Sequence, residues 1–152
     1  MRKLKKLLII LMSIVILSAF VFWKYMYYPK IAEDIKLNEK IKSTVSTSNT
    51  IDFRDITDFD WDNMIIIPPY GIPKDILKEH NIKRANINRS IEVSDSINMI
   101  IFTNREQIIS YVNYKRNDGD FDIQRDTQFK KDTAIFDIIK TNQQIKLVQK
   151  LH

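Results

Sequence analysis

Cysteine is absent from this chain, and glycine occurs only twice in its 152 residues. Without cysteine there are no disulfides, no zinc–thiolate sites and no thiol nucleophiles, so the fold depends on its packed core. Glycine-rich loops that cradle phosphate groups need several glycines within a few residues. The composition therefore argues against a nucleotide site of that kind.

An excess of basic residues in the domain is also lacking, although the formal net charge of the chain is +5. Five of the 24 Lys and Arg residues lie in residues 1–28, which contain no acid, so the remaining 19 bases balance the 19 acids. A nucleic-acid-binding domain needs a basic face. We therefore predict no nucleic-acid partner, because the positive charge belongs to the N-terminus.

The longest uncharged stretch is Leu7–Trp23, in which Ser13 and Ser18 are the only polar residues. As a helix it would span roughly 25 Å of a hydrocarbon core about 30 Å thick. The aromatic rings that follow it, up to Tyr28, suit the headgroup level and complete the crossing. Insertion is favoured by on the order of 5 kcal/mol. We predict an N-terminal transmembrane anchor over residues 1–28.

The charges on either side of this run predict its orientation. Four basic side chains precede the run and only two follow it: Arg2, Lys3, Lys5 and Lys6, then Lys24 and Lys30. The more positive side stays in the cytoplasm. The expected location is the cell membrane, with a single pass, a cytoplasmic N-terminus and an extracellular C-terminal domain. The alternative is a secreted protein after signal cleavage, although Leu17-Ser18-Ala19 lacks the small-x-small cleavage pattern.

Residues 29–50 predict a juxtamembrane helix followed by a linker. Four aliphatic residues recur near helical spacing, separated by Glu and Lys: Ile31, Ile35, Ile41 and Val45. This pattern indicates a short and mostly solvated helix, whose apolar stripe could pack on the domain, on lipid or on a sister helix. Ser43–Thr50 is polar and rich in small residues, as linkers are. We place one extracytoplasmic domain with its own core at residues 51–152.

The first half of that domain predicts a buried strand and one helix. Met64–Ile67 is apolar and is followed by two prolines that end a strand. We therefore expect Asn63–Ile67 to be a central strand with both faces buried. Pro73–His80 predicts a short amphipathic helix that starts at its proline, with Ile76 and Leu77 facing inward. Ile51–Thr57 fits either an edge strand or a turn of helix.

The second half predicts two hairpins. Ser96–Thr103 and Gln107–Lys115 form the first, and Ala134–Lys140 and Ile145–Leu151 form the second, although the last segment also has a helical spacing. Phe121–Lys131, between the hairpins, is polar and irregular. The expected fold is α+β: an N-terminal transmembrane helix, then an antiparallel sheet of about five strands with one short helix.

Three aspartates with the spacing of a calcium loop precede the buried strand: Asp58, Asp60 and Asp62. An EF-hand also needs Gly at the sixth position and Glu at the twelfth, where this chain has Asn63 and Pro69. An EF-hand is excluded, and a looser cation site and a turn with capping carboxylates remain as interpretations. We predict no cofactor.

Trp61, Asp62 and Tyr70 are the candidate ligand-binding residues. Trp61 could stack on a ligand in a cleft, but a tryptophan beside a core strand more often packs in the core. Asp62 is expected to hydrogen-bond the turn that contains Pro68 and Tyr70. Tyr70 either presents its phenol at a surface groove or closes the core.

Two segments of the domain share a pattern with other proteins. Thr57–Tyr70 reads TDFDWDNMIIIPPY, and Asn98–Tyr114 reads NMIIFTNREQIISYVNY, with Glu106 where the pattern FxxxGxxVxYxxY has glycine. The chain thereby resembles a family of small exported or membrane-anchored proteins of Gram-positive bacteria. The resemblance covers about Ile51–Leu151 and implies a fold and a location, but no activity.

Catalytic groups are scarce. The only imidazoles are His80 and His152, and no serine stands in a G-x-S-x-G turn. We therefore expect no catalytic residues and predict a membrane-anchored, non-enzymatic domain that binds a protein partner at the cell envelope. The alternatives are an immunity or stress accessory protein at the membrane, and an envelope hydrolase that uses acidic residues.

Overall fold

The N-terminal segment forms one long helix in the computed structural model, which describes residues 2–26 and 28–150. Helix α1 spans Arg2–Met26, and its apolar part, Lys5–Trp23, has a mean hydropathy of 2.5 with none of it buried. Among the described residues it is the one helix long and apolar enough to cross a membrane, a test that a signal sequence also passes. The sequence predictions at Tyr27, Leu151 and His152 lie outside the described residues.

Beyond α1, the described chain forms three α-helices, three short 3-10 helices and eight strands. The α-helices are α2 (Ile35–Thr47), α3 (Phe53–Ile56) and α4 (Pro73–Glu79). The strands are β1 (Thr50–Asp52), β2 (Asn63–Ile67), β3 (Ile97–Asn104), β4 (Gln107–Lys115), β5 (Asp120–Phe121), β6 (Thr127–Lys130), β7 (Ile135–Lys140) and β8 (Ile145–Gln149). For the segment Ile51–Thr57 we predicted either an edge strand or a turn of helix, and the structure has both: the edge strand β1 followed by the helical turn α3.

The strands form two sheets, so the prediction of an α+β fold is confirmed and that of a single sheet of about five strands is wrong. The first sheet has the order β1-β7-β8-β5, in which only the β5–β8 pair is parallel. The second has the order β4-β3-β2-β6 and is antiparallel throughout. Strands β5 and β6 were missed because they are short and lie in the polar segment Phe121–Lys131.

An aromatic core fills the space between the two sheets. The ring of Phe136 lies against those of Phe53, Phe121 and Phe129, with centroids 5.1–5.8 Å apart. Tilted and edge-to-face pairs at these distances add to the stabilisation from apolar burial alone. This core replaces the disulfides that the chain cannot form.

A second core lies on the opposite face of the second sheet, under α4 and the loop that follows it. Ile65 and Ile67 of β2 point into it, whereas Met64 and Ile66 point into the aromatic core. Successive side chains of a strand face opposite sides of the sheet. The predictions of a central β2 buried on both faces and of the α4 helix are therefore confirmed.

Helix α2 packs its apolar stripe on the domain core, and its other face is solvated, as predicted. The prediction of a linker over Ser43–Thr50 is wrong. Leu37, Ile41 and Val45 are buried in the aromatic core, and the helix runs to Thr47. Its last turn contains small polar residues whose hydroxyls hydrogen-bond back to helix carbonyls. Composition alone does not reveal such local bonding, so the segment resembled a linker.

Both glycines stand where a side chain has no room. A Cβ on Gly119 would lie 2.8 Å from Leu147 Cδ1 and 3.1 Å from the Tyr114 hydroxyl, and its φ is +153°. A Cβ on Gly71 would collide with the Ile67 side chain. Gly119 thus combines a backbone conformation that favours glycine with close neighbours, whereas Gly71 is restricted by its neighbours alone.

Candidate binding surfaces

Trp61 lies in the aromatic core and is 1% exposed. Its Nε1–H donates to Thr57 Oγ1 at 2.8 Å, and its ring meets Phe102 edge-on with centroids 5.1 Å apart. The one polar group of the indole is thus satisfied inside the protein. The structure places Trp61 as a packing residue, with almost no surface left for a ligand.

Asp62 fixes the turn between β3 and β4, not the turn at Pro68–Tyr70 as the sequence suggested. Its Oδ2 accepts the backbone N–H of Arg105 at 2.6 Å, and its Oδ1 accepts the Asn63 side-chain amide at 2.9 Å. A carboxylate that accepts a backbone N–H makes a strong, charge-assisted bond. Asp62 precedes β2 at the end of the sheet where β3 turns into β4, and Pro68 follows β2 at the other end.

Asp58 and Asp60, the other two aspartates of the motif, differ in their surroundings. Asp60 accepts from the Lys131 ammonium at 3.2 Å and from the Asn104 amide at 3.1 Å, and the bond to Lys131 lowers the pKa of Asp60. Asp58 is exposed. Within the described ranges, no group of three His, Cys, Asp or Glu side chains converges, and the carboxylates of Asp60 and Asp62 instead bind groups from other segments of the domain.

His80 contacts an acid from a distant part of the chain. Its Nε2 lies 3.2 Å from Asp126 Oδ2, within hydrogen-bond distance, and both side chains are partly buried. The contact joins the end of α4 to the loop before β6, which are distant in sequence. Sequence analysis placed His80 at a helix end but had no signal for this partner.

Tyr70 is 61% exposed, and two further exposed apolar residues lie on the same two segments: Ile72, at 46%, and Val93, at 84%. We call these three residues the apolar tip. The Tyr70 backbone N–H donates to the Ile91 carbonyl at 3.0 Å, which ties the two loops of the tip together. Tyr70 has a φ of 63°, a conformation that costs a residue with a Cβ about 1–2 kcal/mol. Trp61 and Tyr70 therefore do not share a cleft: one is in the core and the other is on the surface.

A second surface lies beside the segment that follows α1. Two adjoining depressions of about 320 Å³ and 660 Å³ share Tyr28, Arg84 and Ala85. Four cations line them, and among the described residues no Asp or Glu does: Lys74, Lys83, Arg84 and Arg89. We call this surface the basic groove. Sequence analysis missed it because its cations come from α4, where lysines alternate with Asp75 and Glu79, and from separate positions of the loop that follows.

No family profile, curated protein or solved structure matches this chain in the comparisons made with each. The resemblance to small exported proteins of Gram-positive bacteria therefore stays a prediction. Any function must be argued from α1, the apolar tip and the basic groove.

Proposed function

We propose that this chain is a single-pass membrane protein whose extracytoplasmic domain binds a protein partner at the cell envelope. The observation that carries the proposal is α1, a long apolar helix with none of its apolar part buried. Exposing that much apolar surface to water costs roughly 25 cal/mol per Å². A bilayer removes this cost, and the domain packs its own cores without help from the helix.

The charge distribution supports the orientation. The basic residues before the apolar run outnumber those close behind it, which favours a cytoplasmic N-terminus. The balanced charge of the rest of the chain offers no opposing signal. A chain without cysteine also suits an extracytoplasmic location, because it cannot form wrong disulfides there.

The apolar tip supports a binding role. Loops positioned by a rigid scaffold commonly carry binding residues, and tyrosine is enriched among the residues that dominate protein interfaces. Tyr70 is held in an unfavourable backbone conformation while its ring stays exposed. Strain of this kind is concentrated at functional positions, so we assign the tip to partner contact.

Because the chain has no cysteine, its topology can be tested with single cysteines. We expect Asn117→Cys, at an exposed position, to react with a membrane-impermeant maleimide in intact cells. Lys3→Cys, also exposed, should react only after the cells are lysed. The reverse pattern would refute the orientation, and a shortened, labelled protein in the medium would support the secreted alternative.

Partner contact at the apolar tip can be tested by photo-crosslinking in cells. We expect a benzoyl-phenylalanine at Tyr70 to give one discrete adduct of higher mass. The same group at Ile139, which is 49% exposed on β7 in the other sheet, should give none and is the matched control. Adducts at both positions, or at neither, would contradict the assignment of the tip.

A further inference from the structure

The basic groove is fixed close to the end of the apolar span. The Ile31 backbone N–H donates to the Asn86 carbonyl at 3.1 Å, and the Asn86 N–H donates to the Pro29 carbonyl at 2.9 Å. The chain therefore pairs with the loop of the groove almost as soon as it leaves α1. The apolar span ends at Trp23, and the few residues from there to Pro29 reach at most roughly 20 Å.

The cations of the groove are only partly neutralised. Lys83 pairs with Glu106 and Arg89 pairs with Glu92. Within the part of the chain that the structure describes, no carboxylate lies within 4.0 Å of Lys74 or Arg84. The Arg84 guanidinium instead lies over the Tyr28 ring, 5.9 Å from its centroid, a cation–π arrangement that leaves its N–H groups available to an anion.

We infer that the basic groove is a docking surface for the phosphate headgroups of anionic phospholipids in the bilayer that holds α1. This inference rests on the proposed anchoring. Attraction of a basic residue to an anionic surface favours contact by about five-fold per residue and acts over about 8 Å in physiological salt. The tether reaches at most roughly 20 Å, so the groove stays near the bilayer surface and can enter that range, and Tyr28 suits the headgroup level.

Docking fixes which end of the domain faces away from the membrane. Gln107 and Ile108 line the groove at the start of β4. The strand then runs to Lys115, a length of about 30 Å. The turn that contains Asn117 therefore lies far from the groove and serves as the reference position for a proximity measurement.

The test uses the full chain reconstituted into vesicles of phosphatidylcholine, with or without phosphatidylglycerol. The readout is the rate at which an uncharged, impermeant maleimide labels Asn86→Cys, an exposed position in the groove, or Asn117→Cys. We expect phosphatidylglycerol to slow labelling at position 86 about five-fold or more, high salt to reverse the effect, and position 117 to react equally in both vesicles. Adding Lys74→Gln and Arg84→Gln should abolish the difference.

Equal labelling at position 86 in the two vesicle types would overturn the inference, as would equal slowing at both positions. Failure of the anchoring itself is distinguishable. A chain without an anchor does not float with phosphatidylcholine vesicles. An anchored chain that does not dock floats with them, and its position 86 is labelled at the same rate with and without phosphatidylglycerol.

Discussion

Replacement of Trp61 by alanine should destabilise the domain by about 3–5 kcal/mol. The substitution leaves a large void at the aromatic core, because the indole is 1% exposed and packs against Phe102. It also leaves Thr57 Oγ1 without the donor that now lies 2.8 Å away. We expect the midpoint of thermal unfolding, followed by circular dichroism, to fall by roughly 10–20 °C.

Trp23 offers a matched control, since it is 67% exposed on α1. Trp23→Ala should leave the unfolding of the domain unchanged. If Trp61→Ala does not fold at all, Trp61→Phe should give an intermediate loss, because phenylalanine retains most of the ring volume but not the bond to Thr57. An unchanged midpoint for Trp61→Ala would show that the indole is not part of the core.

The double substitution Leu11→Asp and Ile16→Asp, in the middle of α1, should release the chain from the membrane. Each charge at the helix centre costs about 2.5–3.5 kcal/mol, so the pair exceeds the roughly 5 kcal/mol that favours insertion of the run. We expect the variant to move from the carbonate-resistant membrane fraction to the soluble fraction. Both side chains are exposed, so the packing of the domain is not disturbed.

The matched control is Ile35→Asp at the start of α2. Ile35 is 60% exposed, much like Leu11 at 61% and Ile16 at 64%, but it lies outside the apolar span. An acid in the first turn of a helix is favourable, so this variant should stay in the membrane fraction. Retention of the double variant, or release of the control, would mean that α1 is not what holds the chain there.

The sequence predicted those elements that a few neighbouring residues determine. Strand β2 was predicted from its apolar run, α4 from the proline that starts it, and both hairpins from the turn between their strands. The predicted α+β class followed from their sum. The hydrogen bond between the Asp62 carboxylate and the Arg105 backbone N–H could not be predicted in this way, because the two residues are 43 positions apart.

The remaining differences depend on tertiary packing. Leu37, Ile41 and Val45 have the spacing of any amphipathic helix, and nothing local states whether that stripe meets solvent or a core. Strand β5 has two residues and depends on its parallel pairing with β8. The basic groove likewise exists only after α4 and the following loop fold against the chain that leaves α1.

The strand order of the first sheet constrains when the domain can form. Strand β8, the last described strand, lies between β7 and β5, and the edge strand β1 pairs only with β7. A chain that leaves a translocation channel with its N-terminal part first must therefore wait for its last segment before this sheet closes. Until then the core side of Phe53 lacks the cover of this sheet, whereas the β3–β4 hairpin joins neighbouring segments and is free to form early.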